Sequence, residues 1–156
     1  MPLRGIREHL EVLETVTLIC SRESLPQAPL FLNICGQYRE LDQINFELLV
    51  QDRSRPALRS GGDLSALGSW EGWDFESFDQ LSRALWTLLK KFRKRRYPDD
   101  EIMIDFTGGQ KVTSIVAATL TFNRKIKAQY VQTNDPWCVL SYDVVYATTD
   151  TTGLGP

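Results

Sequence analysis

The segment Asp105-Phe-Thr-Gly-Gly-Gln-Lys111 concentrates the groups of this chain best suited to holding an anion. It follows the apolar stretch Glu101-Ile-Met-Ile104 and precedes a run with helical spacing from about 110 to 122, so its glycines fall where a strand turns into a helix. Gly108 and Gly109 there let the backbone approach a ligand closely. The first-turn N–H groups of a helix have no helical partner, and its dipole favours negative charge. Phosphate is the natural guest. Lys111 supplies a point charge, Thr107 and Thr113 supply hydroxyls, and Asp105 is placed to accept the turn's own N–H groups. The spacing is neither G-x-x-x-x-G-K-[ST] nor G-x-G-x-x-G, which argues against a nucleoside-triphosphatase loop and a dinucleotide fingerprint. A Gly-Gly turn that only packs helix against strand has the same sequence appearance.

A second loop, Ser21-Arg22-Glu23-Ser24, follows the β-branched run ending at Cys20 and adds two hydroxyls and a guanidinium. Other groups carry less. His9 is the only histidine and is far from both loops in sequence, which argues against a His-based acid or base and against a zinc ligand set. The cluster Lys90 to Arg96 sits where a helix C-terminus favours cations and reads as a solvated face. Trp70 and Trp73 are core or staple residues before they are walls for a base, and Gln132, Thr133 and Asn134 are secondary pocket candidates. Cys20, Cys35 and Cys138 are widely spaced and read as buried thiols of a cytosolic protein; no disulfide framework and no metal or cofactor site is expected.

The elements that must position these loops alternate. Ile6, Leu10 and Leu13 predict a short helix and Thr15 to Cys20 a strand. Leu30, Ile34, Tyr38 and Leu41 predict a helix over 27–41, with Pro29 in its first turn, and Ile44 to Val50 a second strand. The segment 51–73 is rich in Ser, Gly, Arg and Pro and reads as one long loop. Asp74 is the expected cap of the longest helix, whose stripe is Phe75, Phe78, Leu81, Leu85, Leu88, Leu89 and Phe92. Strands at 101–104, 126–131 and 139–146 follow, the last two joined by a connection too short for a helical crossover and therefore antiparallel. Helix-separated strands pair in parallel. The expectation is therefore an α/β fold: a Rossmann-like, mostly parallel sheet with flanking helices and a C-terminal antiparallel hairpin. In such sheets ligands gather outside the carboxyl ends of the strands, where both loops are expected.

With 156 residues the chain can bury roughly 70% of its unfolded surface, enough for one domain spanning 1–156 without a staple, the end from 147 being a frayed tail. Eighteen Lys and Arg against 20 Asp and Glu leave a net charge of −2, which argues against coating a nucleic-acid backbone but leaves room for a single phosphate pocket. No apolar run approaches the ~18 residues of a membrane span, and the N-terminus has no signal-peptide pattern, so a cytoplasmic domain is expected.

Asp105-Phe-Thr-Gly-Gly-Gln-Lys111 resembles the D-x-T-G-G-x-K signature of CARF domains, the CRISPR-associated Rossmann-fold sensors of type III CRISPR immunity, and of the related SAVED domains. Family members more often carry Thr where this chain has Gln110, and an apolar residue where it has Thr113. Leu18-Ile-Cys-Ser21 matches a second family landmark, a strand ending in Ser or Thr that opens a ligand loop. The resemblance implies a homodimer that binds a cyclic oligoadenylate, the expected form being cyclic tetra-adenylate, across its two-fold axis. It further implies that Ser21, Arg22, Ser24, Thr107, Gly108, Gly109, Gln110, Lys111 and Thr113 bind the ligand, and that an effector or membrane segment lies outside this chain. A sensor is preferred because no general base is readable. The alternative is a metal-independent ring nuclease, in which Lys111, Ser21 and Arg22 would assist attack of a ribose 2′-hydroxyl on the adjacent phosphate. A third, unrelated reading is an α/β domain that binds a mononucleotide or serves as a scaffold.

Overall fold

The computed structural model describes residues 2–51, 58–59, 70–108, 111–122, 124–132 and 138–142. Its elements are α1 (Pro2–Arg7), β1 (Thr15–Ile19), α2 (Ala28–Cys35), β2 (Asn45–Leu49), β3 (Leu58–Arg59), α3 (Phe78–Lys94), β4 (Met103–Asp105), α4 (Lys111–Thr121), β5 (Lys127–Gln132) and β6 (Cys138–Tyr142). They build two three-stranded sheets, ordered β1-β2-β3 and β4-β5-β6. Each has one parallel pair, β1 with β2 and β4 with β5, and one antiparallel pair, β2 with β3 and β5 with β6.

The fold is thus mixed α/β, and the expectation of one mostly parallel sheet is corrected. Parallel pairing occurs only where a helix lies between the strands; residues 50–57 and 133–137 leave no room for a crossover, so β3 and β6 come back antiparallel. No ladder joins β1 to β4 among the described residues, and β4 is only three residues long. The C-terminal hairpin is as expected, with Val131 opposite Val139 and Gln132 opposite Cys138.

Strand alternation decides which helices cover which face. Phe46 and Leu48 of β2, with Val16 and Leu18 of β1, point into a cluster with Ile6 of α1 and Ala28, Leu32 and Cys35 of α2. Ile19 belongs instead to a second cluster with Leu81, Leu85 and Leu89 of α3 and Val116 and Leu120 of α4. Helices therefore lie on both faces of the strands. Polar links tie the halves together. Tyr97 donates to Glu14 at 2.6 Å, Gln51 donates to Gln80 at 2.9 Å, and buried Glu47 of β2 receives Lys91 and Arg95 from the end of α3.

Several helix expectations shift. The first helix ends at Arg7 and passes through turns before β1. The expected helix over 27–41 is α2 followed, after Gly36, by a separate turn of 3-10 helix at Arg39–Leu41. Its buried face is Ala28, Leu32 and Cys35; of the four positions whose spacing predicted it, Leu30, Ile34 and Tyr38 are exposed and only Leu41, in the separate turn, is buried. Ala-Pro-Leu-Phe-Leu-Asn-Ile-Cys is apolar nearly all round, so spacing alone selects no face. The long helix keeps Leu81, Leu85, Leu88 and Leu89 of its expected stripe buried, but Phe75 lies before its first turn and Phe78 is exposed; it is capped by Ser77, whose hydroxyl accepts the Gln80 N–H, while Asp74 closes a tighter turn by accepting the Glu76 N–H at 2.9 Å. Among the described residues no helix is long and apolar enough to cross a membrane.

Candidate functional site

β4 ends at Asp105, and both oxygens of its carboxylate are engaged. Oδ1 accepts the Thr107 N–H at 2.8 Å, closing the turn, and Oδ2 accepts the Gln129 side-chain amide at 2.8 Å. The turn stays sewn to β5 beyond the ladder: Phe106 N–H donates to the Gln129 carbonyl, and Val131 N–H donates to the Thr107 hydroxyl at 2.8 Å. Phe106 also stacks on Tyr130, ring centroids 5.9 Å apart. Asp105 therefore ties the turn as its sequence position predicts. Because Thr107 Oγ1 already accepts a backbone N–H, the hydroxyl proton is left to donate.

Gly108 is exposed, and a methyl group built on its α-carbon meets nothing within 4 Å among the described residues. Neither internal packing nor a left-handed backbone requires glycine there, whereas close approach of a ligand would. Lys111 opens α4 with its side chain exposed, and Thr113 in the same turn has a buried hydroxyl without a hydrogen-bond partner among the described residues. Gly109 and Gln110 lie outside the described residues. The turn so offers one hydroxyl, one ammonium and the positive end of an 11-residue helix.

The loop after β1 has a different architecture. The Ser21 N–H donates to Ser24 Oγ at 2.8 Å and the Ser24 N–H donates to Ser21 Oγ at 3.1 Å, a reciprocal cap that leads into the short 3-10 turn at Leu25–Gln27. Residues 71–73 run beside it: Ser21 bridges to Trp73, Arg22 N–H donates to the Trp73 carbonyl, and Trp73 N–H donates to that of Cys20. Gly72 is required here, since a β-carbon would stand 2.5 Å from the Ser21 carbonyl oxygen. Arg22 pairs with Glu71 at 3.3 Å, both well exposed. The exposed Glu23 carboxyl is held below its usual range, chiefly by the Ser21 hydroxyl, while burial pushes the Cys20 thiol up.

A cavity of about 380 Å³ opens beside this loop, walled by Leu25, Pro26, Pro29 and Trp70 with Arg22 and Glu71 at its polar side. Trp73 is core, 7% exposed, its indole N–H donating to the Leu49 carbonyl; Trp70 is half-buried and reaches the cavity. A larger depression, about 650 Å³, follows the outer face of α3 past Arg83, Trp86 and Lys90 and includes no residue of either loop.

Ser21, Arg22 and Ser24 thus lie together, as do Thr107, Gly108, Lys111 and Thr113 around the other turn. Among the described residues no hydrogen bond or ion pair joins the two groups. Gln132 accepts the Cys138 thiol, whereas Thr133 and Asn134 lie outside the described residues. The basic cluster departs from a purely solvated face: Lys91 and Arg95 are committed to Glu47, and Arg93 to Asp99 at 2.6 Å.

Sequence reasoning missed Gln129 and set His9 aside. Gln129 is 2% exposed, directly opposite Asp105 in the β4–β5 ladder, and its side-chain oxygen meets His9 Nε2. The 120 residues that separate His9 from Gln129 made the histidine look remote. The available signal was an amide between Ala128 and Tyr130 in the strand Lys-Ala-Gln-Tyr-Val-Gln, since a polar side chain on a covered face needs a partner.

No protein-family model, curated protein or solved structure matches this chain. Fold and site together define a mixed α/β domain with an anion-suited turn at the start of its last helix.

Proposed function

We propose that this chain is a CARF-like sensor domain with a Rossmann-like plan, which binds a cyclic oligoadenylate, cyclic tetra-adenylate first, and thereby controls an effector in type III CRISPR defence. The observation that carries the reading is the turn Asp105–Gly108: its carboxylate and threonine are fixed by β5, its glycine meets no described residue where a side chain would stand, and α4 with Lys111 begins just beyond. Those features suit a phosphodiester, and the D-x-T-G-G-x-K resemblance supplies the ligand class. Lys111, Thr107 and Gly108 with Gly109 and Gln110 hold phosphate and sugar oxygens, and Thr113 supports them. Ser21, Arg22 and Ser24 contact the ring from the other loop, with adenine against Trp70 and the prolines beside it. For Ser24 this requires the reciprocal serine cap to open.

The test is incubation with radiolabelled cyclic tetra-adenylate, read for retention on a native gel and for products on a denaturing one. Retention of intact ring supports the sensor. Linear products would instead establish the ring nuclease, with Lys111, Ser21 and Arg22 as the groups to substitute, and no retention of four- or six-membered rings sinks both. Gly108→Ala sharpens the result: melting temperature should stay put while affinity falls about tenfold, ~1.4 kcal/mol, because the added methyl occupies only the space the ligand needs.

A further inference from the structure

The turn at Asp105 does not stand on its own strand alone. A chain of hydrogen bonds runs from the turn after α1 into it: His9 to Gln129, Gln129 to Asp105, Asp105 to the Thr107 N–H. Its direction is fixed. A carboxylate only accepts, so Gln129 presents Nε2 to Asp105 and Oε1 to His9, and the imidazole must carry a proton on Nε2. Gly5 of α1 closes over the same pair: a β-carbon there would overlap Gln129 Nε2 and lie 2.6 Å from Asp105 Oδ2. The N-terminal helix can lie so close only because residue 5 has no side chain.

We infer that Gln129, held by His9 and roofed by Gly5, is the positioning residue of the ligand turn, so that the N-terminal helix belongs to the binding machinery. The ligand part rests on the reading proposed above. Without the Gln129 amide, Asp105 Oδ2 loses its partner, the carboxylate is free to turn from the Thr107 N–H, and the Thr107 hydroxyl is no longer aimed by the turn that seats it on Val131. Gln129 itself touches no ligand. It acts through Asp105, and among the described residues Gly5 and His9 lie against its side-chain amide.

The experiment uses the full chain and two readouts. Amide hydrogen exchange by NMR, without ligand, reports the turn through Thr107 and Val131, with Leu85 in α3 as a reference for the rest of the fold. Cyclic tetra-adenylate binding is then titrated on the same samples. Gln129→Leu and the gentler, half-buried His9→Ala should speed exchange at Thr107 and Val131 about tenfold, leave Leu85 unchanged and weaken binding about tenfold. His9→Gln, which restores a donor near the position of Nε2, should recover both. Lys111→Ala should weaken binding without touching exchange at the turn.

Wild-type exchange at Thr107 and Val131 in both Gln129→Leu and His9→Ala overturns the inference. So does faster exchange that includes Leu85 and is not recovered by His9→Gln, since that is general loosening. If wild-type protein binds no cyclic tetra-adenylate, the ligand reading fails by itself, and the exchange pattern still decides whether His9 and Gln129 hold the turn.

Discussion

Glu47 is the residue on which charge and burial collide most sharply. It is 1% exposed in the middle of β2, between Phe46 and Leu48, which face the opposite core cluster. Burial alone would raise its carboxyl, but hydrogen bonds from Arg95 at 2.8 Å and from Lys91 outweigh that and hold it below the usual carboxylate range. Because the folded value is depressed, the stabilisation is present above the unfolded value of about 4.3 and is lost as pH falls through the folded one. Glu47→Gln should cost about 1–3 kcal/mol at pH 7, less than the ~3–5 kcal/mol for breaking a dry pair, because Lys91 and Arg95 keep about a third of their side-chain surface in water. Melting temperatures of both proteins from pH 7 down to about 3.5 check it: the gap should narrow on acidification, and a constant gap would mean that the charge contributes nothing. Sequence showed a basic helix end and an acidic residue in a strand, but not their meeting, which depends on how far α3 reaches back across β2. Asp105 was legible because its partner is two residues away; His9 and Gln129 were not, because theirs are brought by tertiary packing.

Elements were legible where their pattern was strong and one-sided. The stripe Leu81, Leu85, Leu88, Leu89 placed α3 on its core, and a short connection marked β5 and β6 as a hairpin. They were illegible where local chemistry was degenerate, as in the all-round apolar α2, or where a two-residue strand interrupts a polar segment, as β3 does. The end of α3 lies between these cases. Arg96 takes φ 70°, Arg96 N–H donates to the Arg93 carbonyl and Tyr97 N–H to that of Phe92, and the Phe92 and Tyr97 rings meet edge to face at 5.8 Å. This is a complete Schellman stop with arginine where glycine is preferred. The left-handed backbone costs a side-chain-bearing residue ~1–2 kcal/mol, and glycine returns ~0.4–1 kcal/mol of that as unfolded-chain entropy. Arg96→Gly should therefore stabilise the protein by about 1 kcal/mol in urea unfolding with an unchanged slope. A loss of stability would show that the Arg96 side chain has an interaction worth more than its strain.

At the scale of the molecule, a net charge of −2 and a mixed α/β fold limit how a polyanion can be held. A chain without a basic coat must bind phosphates through local groups, and each copy offers few: Lys111, the N-terminus of α4, and Arg22, whose exposed pairing with Glu71 is weak enough to exchange for a ligand. One copy is poorly equipped to neutralise the four phosphates of a cyclic tetra-adenylate. A four-membered ring, however, has a two-fold axis, and two copies related by the same axis double every donor without adding new chemistry. The proposed sensor should therefore bind one ring per two chains. Isothermal titration with cyclic tetra-adenylate should give a stoichiometry near one half, and sedimentation should show the ligand shifting any monomer toward dimer, by mass action on the species that holds it. Lys111→Ala, by removing both ammonium groups of a shared pocket at once, should weaken that dimer-linked binding by more than a single contact's ~1.5–3 kcal/mol. A full ring on each monomer, with no change in association, would place the whole pocket within one chain and remove the symmetry argument.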